Sequence, residues 1–293
     1  MAAPTSTILP NGIHALSSGA RTNPAIVCLP GWPETASAYL PLLPLLSPAH
    51  FVLILDPPGL GASAPFPTSY TTTATATHLL TAIQAALGPH TPYHLIGHDI
   101  GSWLAFPLAH RDSPHILSLT LMDSLIPGLA PPQSWPLPYE ANIRLWQFTF
   151  NALPDLPEIL VEGKEKEVLD WLFDRKAAHP ERITPERRAE YVSAYSKEGG
   201  MARGFAYYRA VSESAVEHKR LLEEAGKLRV PVLCVGGGNG TGATMRDIAE
   251  VITTETARSR FVLLQDCGHY VMEEQPEQCA DAILEFVGRV KQE

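Results

Sequence analysis

The sequence is short of several things, and each shortage removes a class of function. Cysteine occurs only four times in 293 residues, at positions 28, 234, 267 and 279, with no CxxC pair. Cys28 and Cys234 lie inside apolar, strand-like runs, so the four are expected as buried reduced thiols rather than disulfides or zinc ligands. Positive charge is the scarcer sign: 22 Lys and Arg face 31 Asp and Glu, a formal net charge of −9. That balance opposes binding to nucleic acid or to anionic membrane surfaces. No apolar run approaches the roughly 18–20 residues of a membrane span. Met1 to Asn11 shows no basic region followed by an apolar stretch, so no secretory signal is read and a cytoplasmic location is expected. The glycine-rich run Gly236 to Gly242 lacks the Gly-Lys-Ser/Thr ending of a phosphate loop. His94 and His98 form an H-x3-H on a strand and turn rather than on a helix, which does not read as a metal pair. No metal and no organic cofactor is implied.

Hydrophobic residues, at 45%, suffice for a sizeable core, and the length suits one large α/β domain with an insert. Ala25–Leu29, Phe51–Leu55, Tyr93–Ile96, Ile116–Met122, Val232–Val235 and Phe261–Leu264 are short apolar runs with the character of buried parallel strands. Between them, Thr73–Leu87, Ser102–Ala109 and the closing Cys279–Val290 read as helices. From Gly128 to about Leu228 the character changes. No convincing strand is present there, Glu158–Phe173 and Pro185–Tyr195 read as amphipathic helices, and the proline-rich Pro127–Pro138 reads as an entry linker. The expected organisation is a core of residues 1–130 and 225–293 with a helical cap, 131–224, inserted into it.

Gly97-His98-Asp99-Ile100-Gly101 has the Gly-x-nucleophile-x-Gly form of a strand-to-helix elbow, with aspartate in the nucleophile slot. A carboxylate can open a strained ring or displace a leaving group at saturated carbon, forming an ester in which the protein is the acyl part. Hydrolysing that ester requires a base to activate water, an acid to orient the base and N–H donors for the oxyanion. His269, in Asp266-Cys-Gly-His-Tyr270 after the last strand, is the candidate base. Asp123, 24 residues beyond Asp99 at the end of the next strand, is the candidate acid, since Gly236 to Gly242 offers no carboxylate before Asp247. The backbone N–H groups of Ile100 and of Trp32, in Pro30-Gly-Trp-Pro33, are the candidate oxyanion donors. His98 reads as structural.

These residues resemble the α/β-hydrolase superfamily, in the branch of epoxide hydrolases and fluoroacetate or haloalkane dehalogenases. The resemblance extends to Asp56-Pro-Pro-Gly-Leu-Gly-Ala-Ser63, Leu121-Met-Asp123, Leu153-Pro-Asp-Leu-Pro-Glu158, Tyr207-Tyr-Arg209 and Gly268-His-Tyr-Val-Met-Glu-Glu-Gln-Pro276. It implies an α/β fold with a mostly parallel eight-stranded sheet flanked by helices and an inserted cap. Where fluoroacetate dehalogenases carry arginines at and three residues beyond the position after the nucleophile, this chain has Ile100 and Trp103, and the stretch matching their halide-binding pair is Trp146-Gln147-Phe148. The resemblance therefore implies epoxide hydrolysis to a vicinal diol through an Asp99 ester. Tyr208 would donate to the opening ring, with Gln147 or Tyr139 in place of a missing second tyrosine. Trp103, Trp146, Gln147, Phe148 and Tyr270 are expected around the substrate, with Trp135 and Phe150 in an apolar lid. The expected partners are a small hydrophobic organic substrate and water; a homodimer is compatible with the sequence. Alternatives are a dehalogenase using the same ester, a non-hydrolytic isomerase, cyclase or lyase, and a hydrolase-fold binding protein.

Overall fold

The computed structural model describes residues 3–66, 68–130 and 136–290. Eight strands form one sheet: β1 (Thr5–Ile8), β2 (His14–Ser18), β3 (Ala25–Leu29), β4 (Phe51–Leu55), β5 (Tyr93–His98), β6 (Ile116–Met122), β7 (Val232–Gly237) and β8 (Arg260–Leu264), in the order β1-β2-β4-β3-β5-β6-β7-β8. β2 runs antiparallel to both neighbours, and every pairing from β4 through β8 is parallel. The parallel strands are apolar because helices cover both faces: every residue of β3, β4, β5 and β7 is buried. Each fully buried Ile, Val or Leu there contributes roughly 1.5–3 kcal/mol of transfer free energy.

Six of these strands are the apolar runs legible in the sequence. β1, Thr-Ser-Thr-Ile, is exposed along its length and β2 is mostly half-buried, so neither needs a continuous apolar run. Between β6 and β7 the described residues contain six α-helices: Tyr139–Phe150, Leu156–Val161, Glu165–Lys176, Pro185–Tyr195, Gly200–Arg209 and Val211–Ala225. The single helix expected over Glu158–Phe173 is two. Gly163 takes φ +73° between them, which ends the first and redirects the chain. These helices lie over the carboxyl ends of the strands: Tyr195 Oη donates to the Glu34 carbonyl (2.7 Å), Tyr207 Oη to the Pro58 carbonyl (2.8 Å), and the Lys176 carbonyl accepts from His269 N–H (2.9 Å). Among the described residues, no helix is long and apolar enough to cross a membrane. All four cysteines are buried free thiols.

Candidate active site

The site starts with a sharp turn. β5 ends at His98, a helix runs from Ile100 to Arg111, and Asp99 alone joins them at φ 51°, ψ −122°. A non-glycine residue in that region costs on the order of 1–3 kcal/mol, which the surrounding packing must hold in place. The glycines on either side are required by space. A Cβ on Gly97 would overlap the Gly101 carbonyl, and one on Gly101 would overlap the Leu29 carbonyl.

The two oxygens of Asp99 face different partners. Oδ1 accepts from the Trp32 N–H at 3.2 Å, and Oδ2 lies 3.4 Å from His269 Nε2. Ile100 is the first helical residue after the turn, so its N–H has no acceptor within the helix. Behind the histidine, Asp123 Oδ2 is 2.7 Å from His269 Nδ1. Asp123 leaves the end of β6 at φ 38°, so two of the three non-glycine residues with positive φ among those described are the carboxylates that flank His269. The structure thus brings Asp99, Asp123, His269 and the Trp32 and Ile100 amides to one place.

The glycine-rich run also has a place in this arrangement. Gly237 N–H donates to Asp123 Oδ1 at 3.0 Å, and Thr241 N–H to Oδ1 and Oδ2 at 3.1 and 3.2 Å. A Cβ on Gly240 would collide with that carboxylate. The loop is a cradle of backbone amides for an acid that arrives from the neighbouring strand. His98 ties the elbow to the base: its Nε2 lies 2.8 Å from the His269 carbonyl oxygen and its Nδ1 2.7 Å from Glu34 Oε2, both side chains being fully buried.

Burial alone would raise the pKa of Asp99. The hydrogen bond and charge of His269, helped by His98 and Lys176, outweigh it and hold the carboxyl at about 2. Burial alone would lower the pKa of His269, yet hydrogen bonds to Asp123 and Asp99 raise it to about 9. Lys176 was not singled out from the sequence. It closes a cap helix whose last carbonyl holds the His269 backbone, and its side chain faces both carboxylates; burial brings it down to about 8 against their attraction.

A cavity of about 440 Å³ opens above Asp99, Asp123 and His269. Leu125 and Ile126 line it from the core, and Leu145, Phe148 and Val211 from the helical insert. Gln147 also lines it, although the residue is almost fully buried. The Gln147 side chain lies beside Tyr208, which is packed edge-on against Trp32 (5.6 Å between ring centroids), Trp103 (5.7 Å) and Phe148 (5.5 Å). Tyr208 and Trp103 therefore form the wall behind the lining. The Trp103 indole N–H already donates to Ser124 Oγ at 3.0 Å. Trp146 turns away to pack on Phe150 and Trp171, and Tyr270 is buried against His269 and Phe173. Tyr139, at the start of its helix, is exposed. Trp135 lies outside the described residues. Among the described residues, no three His, Cys, Asp or Glu side chains gather as a metal site.

The sequence matches the α/β hydrolase fold family over residues 24–276. The chain belongs to that family. Among its relatives is a soluble epoxide hydrolase of Corynebacterium sp. (strain C12), 28% identical over 272 residues, covering 89% of each chain. A fluoroacetate dehalogenase of Burkholderia sp. is 23% identical over 273 residues, covering 91% of this chain and 88% of that one. In three dimensions the chain is similar to the crystal structure of wild-type Cfl2 from Burkholderia cenocepacia, with a TM-score of 0.90 at 32% identity over 97% of this chain and 95% of the other. This α/β-hydrolase is an enzyme of the branch that contains epoxide hydrolases and dehalogenases.

Proposed function

We propose that the enzyme opens an epoxide to a vicinal diol through an ester on Asp99. The observation that carries this reading is the divided Asp99 carboxylate, one oxygen on the Trp32 amide and the other on His269, at the base of a largely apolar cavity. Asp99 attacks a ring carbon, a C–O ester bond forms, and the ring C–O bond breaks. The alkoxide takes the proton of Tyr208, which stands immediately behind the Gln147 and Phe148 lining, so that a turn of the Gln147 side chain brings its hydroxyl within reach of the ring oxygen.

Forming the ester removes the Asp99 charge that raises the pKa of His269. The imidazolium then gives up its proton, which restores Tyr208. Neutral His269, oriented by Asp123, removes a proton from water as it attacks the ester carbonyl, and the Trp32 and Ile100 amides hold the oxyanion. Collapse breaks the acyl C–O bond, and the departing diol oxygen takes the proton from His269. The Asp99 carboxyl, a strong acid in this setting, then reprotonates His269 and completes the cycle. A halide would find fewer donors in this cavity, because the Trp103 indole is committed to Ser124.

A single turnover in heavy-oxygen water tests the sequence of bonds. The label should enter the Asp99 carboxylate and not the first diol released. Label in that diol would mean that water, not Asp99, attacked the ring. Halide release from a halogenated panel without diol formation would favour the dehalogenase reading.

A further inference from the structure

The cavity contains more positive charge than the ring-opening reading uses. Two carboxylates, Asp99 and Asp123, face two cations, Lys176 and the His269 imidazolium. A third cation, Arg144, lines the same space and has no ion-pair or hydrogen-bond partner among the described residues. It stands out in a chain whose net charge is −9. Much of the lining, including Leu137, Leu145 and Phe148, is apolar, so a neutral substrate filling the cavity would displace water from the half-buried guanidinium without offering it a charge partner.

We infer that the substrate carries an anionic group, a carboxylate, which Arg144 binds at the end of the cavity remote from the reacting carbon. Arg144 and Gln147 share one helix, Tyr139–Phe150, and are three residues apart. That separation places them on the same side of the helix, ~4.5 Å apart along its axis. Gln147 marks the reacting end, because it lines the cavity in front of Tyr208. The anion is therefore held about one helical turn from the ring oxygen, with an apolar spacer between them against Leu145 and Phe148. This revises the expectation of a purely hydrophobic substrate to an amphipathic one: an epoxy carboxylic acid rather than an epoxy alkane.

The inference rests on the ring-opening reading for the reactive end of the substrate only, so binding and turnover are measured separately. Calorimetry at about 0.15 M salt, where exposed charges are screened, should show octanoate binding about 10- to 100-fold more tightly than octanamide, the margin of a charge-assisted bidentate contact. Arg144→Gln should abolish that preference. Equal binding of the two ligands to the unaltered protein would overturn the inference without any variant, and so would a preference that survives Arg144→Gln. In turnover, ω-epoxyoctanoate should exceed ω-epoxyoctanamide in kcat/KM by a similar factor. If octanoate is preferred through Arg144 but neither epoxide opens, the anion site stands and the ring-opening reading fails.

Discussion

A His269→Gln variant should take up one equivalent of epoxide per chain and then stop. The first half-reaction needs Asp99 and the Gln147–Tyr208 donors, none of which the substitution removes. The second needs a base within reach of the ester carbonyl, and His269, 3.4 Å from Asp99 Oδ2, is the group so placed. The expected result is a peptide containing Asp99 that is heavier by the mass of the substrate, with steady-state turnover lower by roughly 10³- to 10⁵-fold, in line with removal of a member of a concerted set. Intact-protein mass spectrometry after mixing with excess epoxide makes the measurement. An unmodified protein with turnover equally lost would mean that His269 acts before, not after, any covalent step.

The second large effect concerns Asp123 and should be visible in both rate and stability. Asp123→Asn leaves the volume nearly unchanged but offers a neutral amide to an imidazolium and to the amides of Gly237 and Thr241. The rate should fall by about 10³- to 10⁴-fold, since the carboxylate both sets the tautomer of His269 and stabilises its charged form. Unfolding free energy should fall by about 3 kcal/mol, the scale for breaking one side of a buried ionic contact. The pH dependence gives a further check. His269 is raised in the folded state, to about 9 from an ordinary 6.5. Its stabilising contribution is therefore complete below about 6.5 and is lost as pH rises through 9. The deficit of Asp123→Asn should accordingly be widest near pH 6 and narrow by pH 9, as denaturant titration at several pH values would show. A deficit constant with pH would assign the loss to the glycine loop alone and not to the histidine.

How much of this could be read from the letters varies with the range of the interaction. The elbow is local: five consecutive residues contain the turn, the nucleophile and the two glycines that make room for it, so the sequence states it outright. The six central strands are equally plain because burial on both faces requires continuous apolar runs. β1 and β2 are not, because an edge strand made of Thr-Ser-Thr-Ile can satisfy its hydrogen bonds while remaining wet. The partners of Asp123 lie 114 and 118 residues away, at Gly237 and Thr241, and nothing in Gly236 to Gly242 read alone says that its amides converge on a carboxylate. Lys176 and Arg144 are harder still. On amphipathic helices a lysine or arginine ordinarily marks the solvent face, and only the docking of these helices over the sheet turns the two toward the cavity. Tyr208, Trp103 and Trp146 illustrate a related difficulty. Motif alignment can place an aromatic near the site, but whether it lines the cavity, backs the lining or faces away depends on how the helices are rotated against one another.

The glycine cradle of Asp123 also bears on how such a site could be altered. Its donors are main-chain amides, so exchanging side chains along residues 236–242 leaves the donors themselves unchanged; at Gly240 any larger residue would meet the carboxylate itself. Moving the amides relative to the carboxylate requires a change in the path of the loop, through residues gained or lost, which libraries that vary its length would sample.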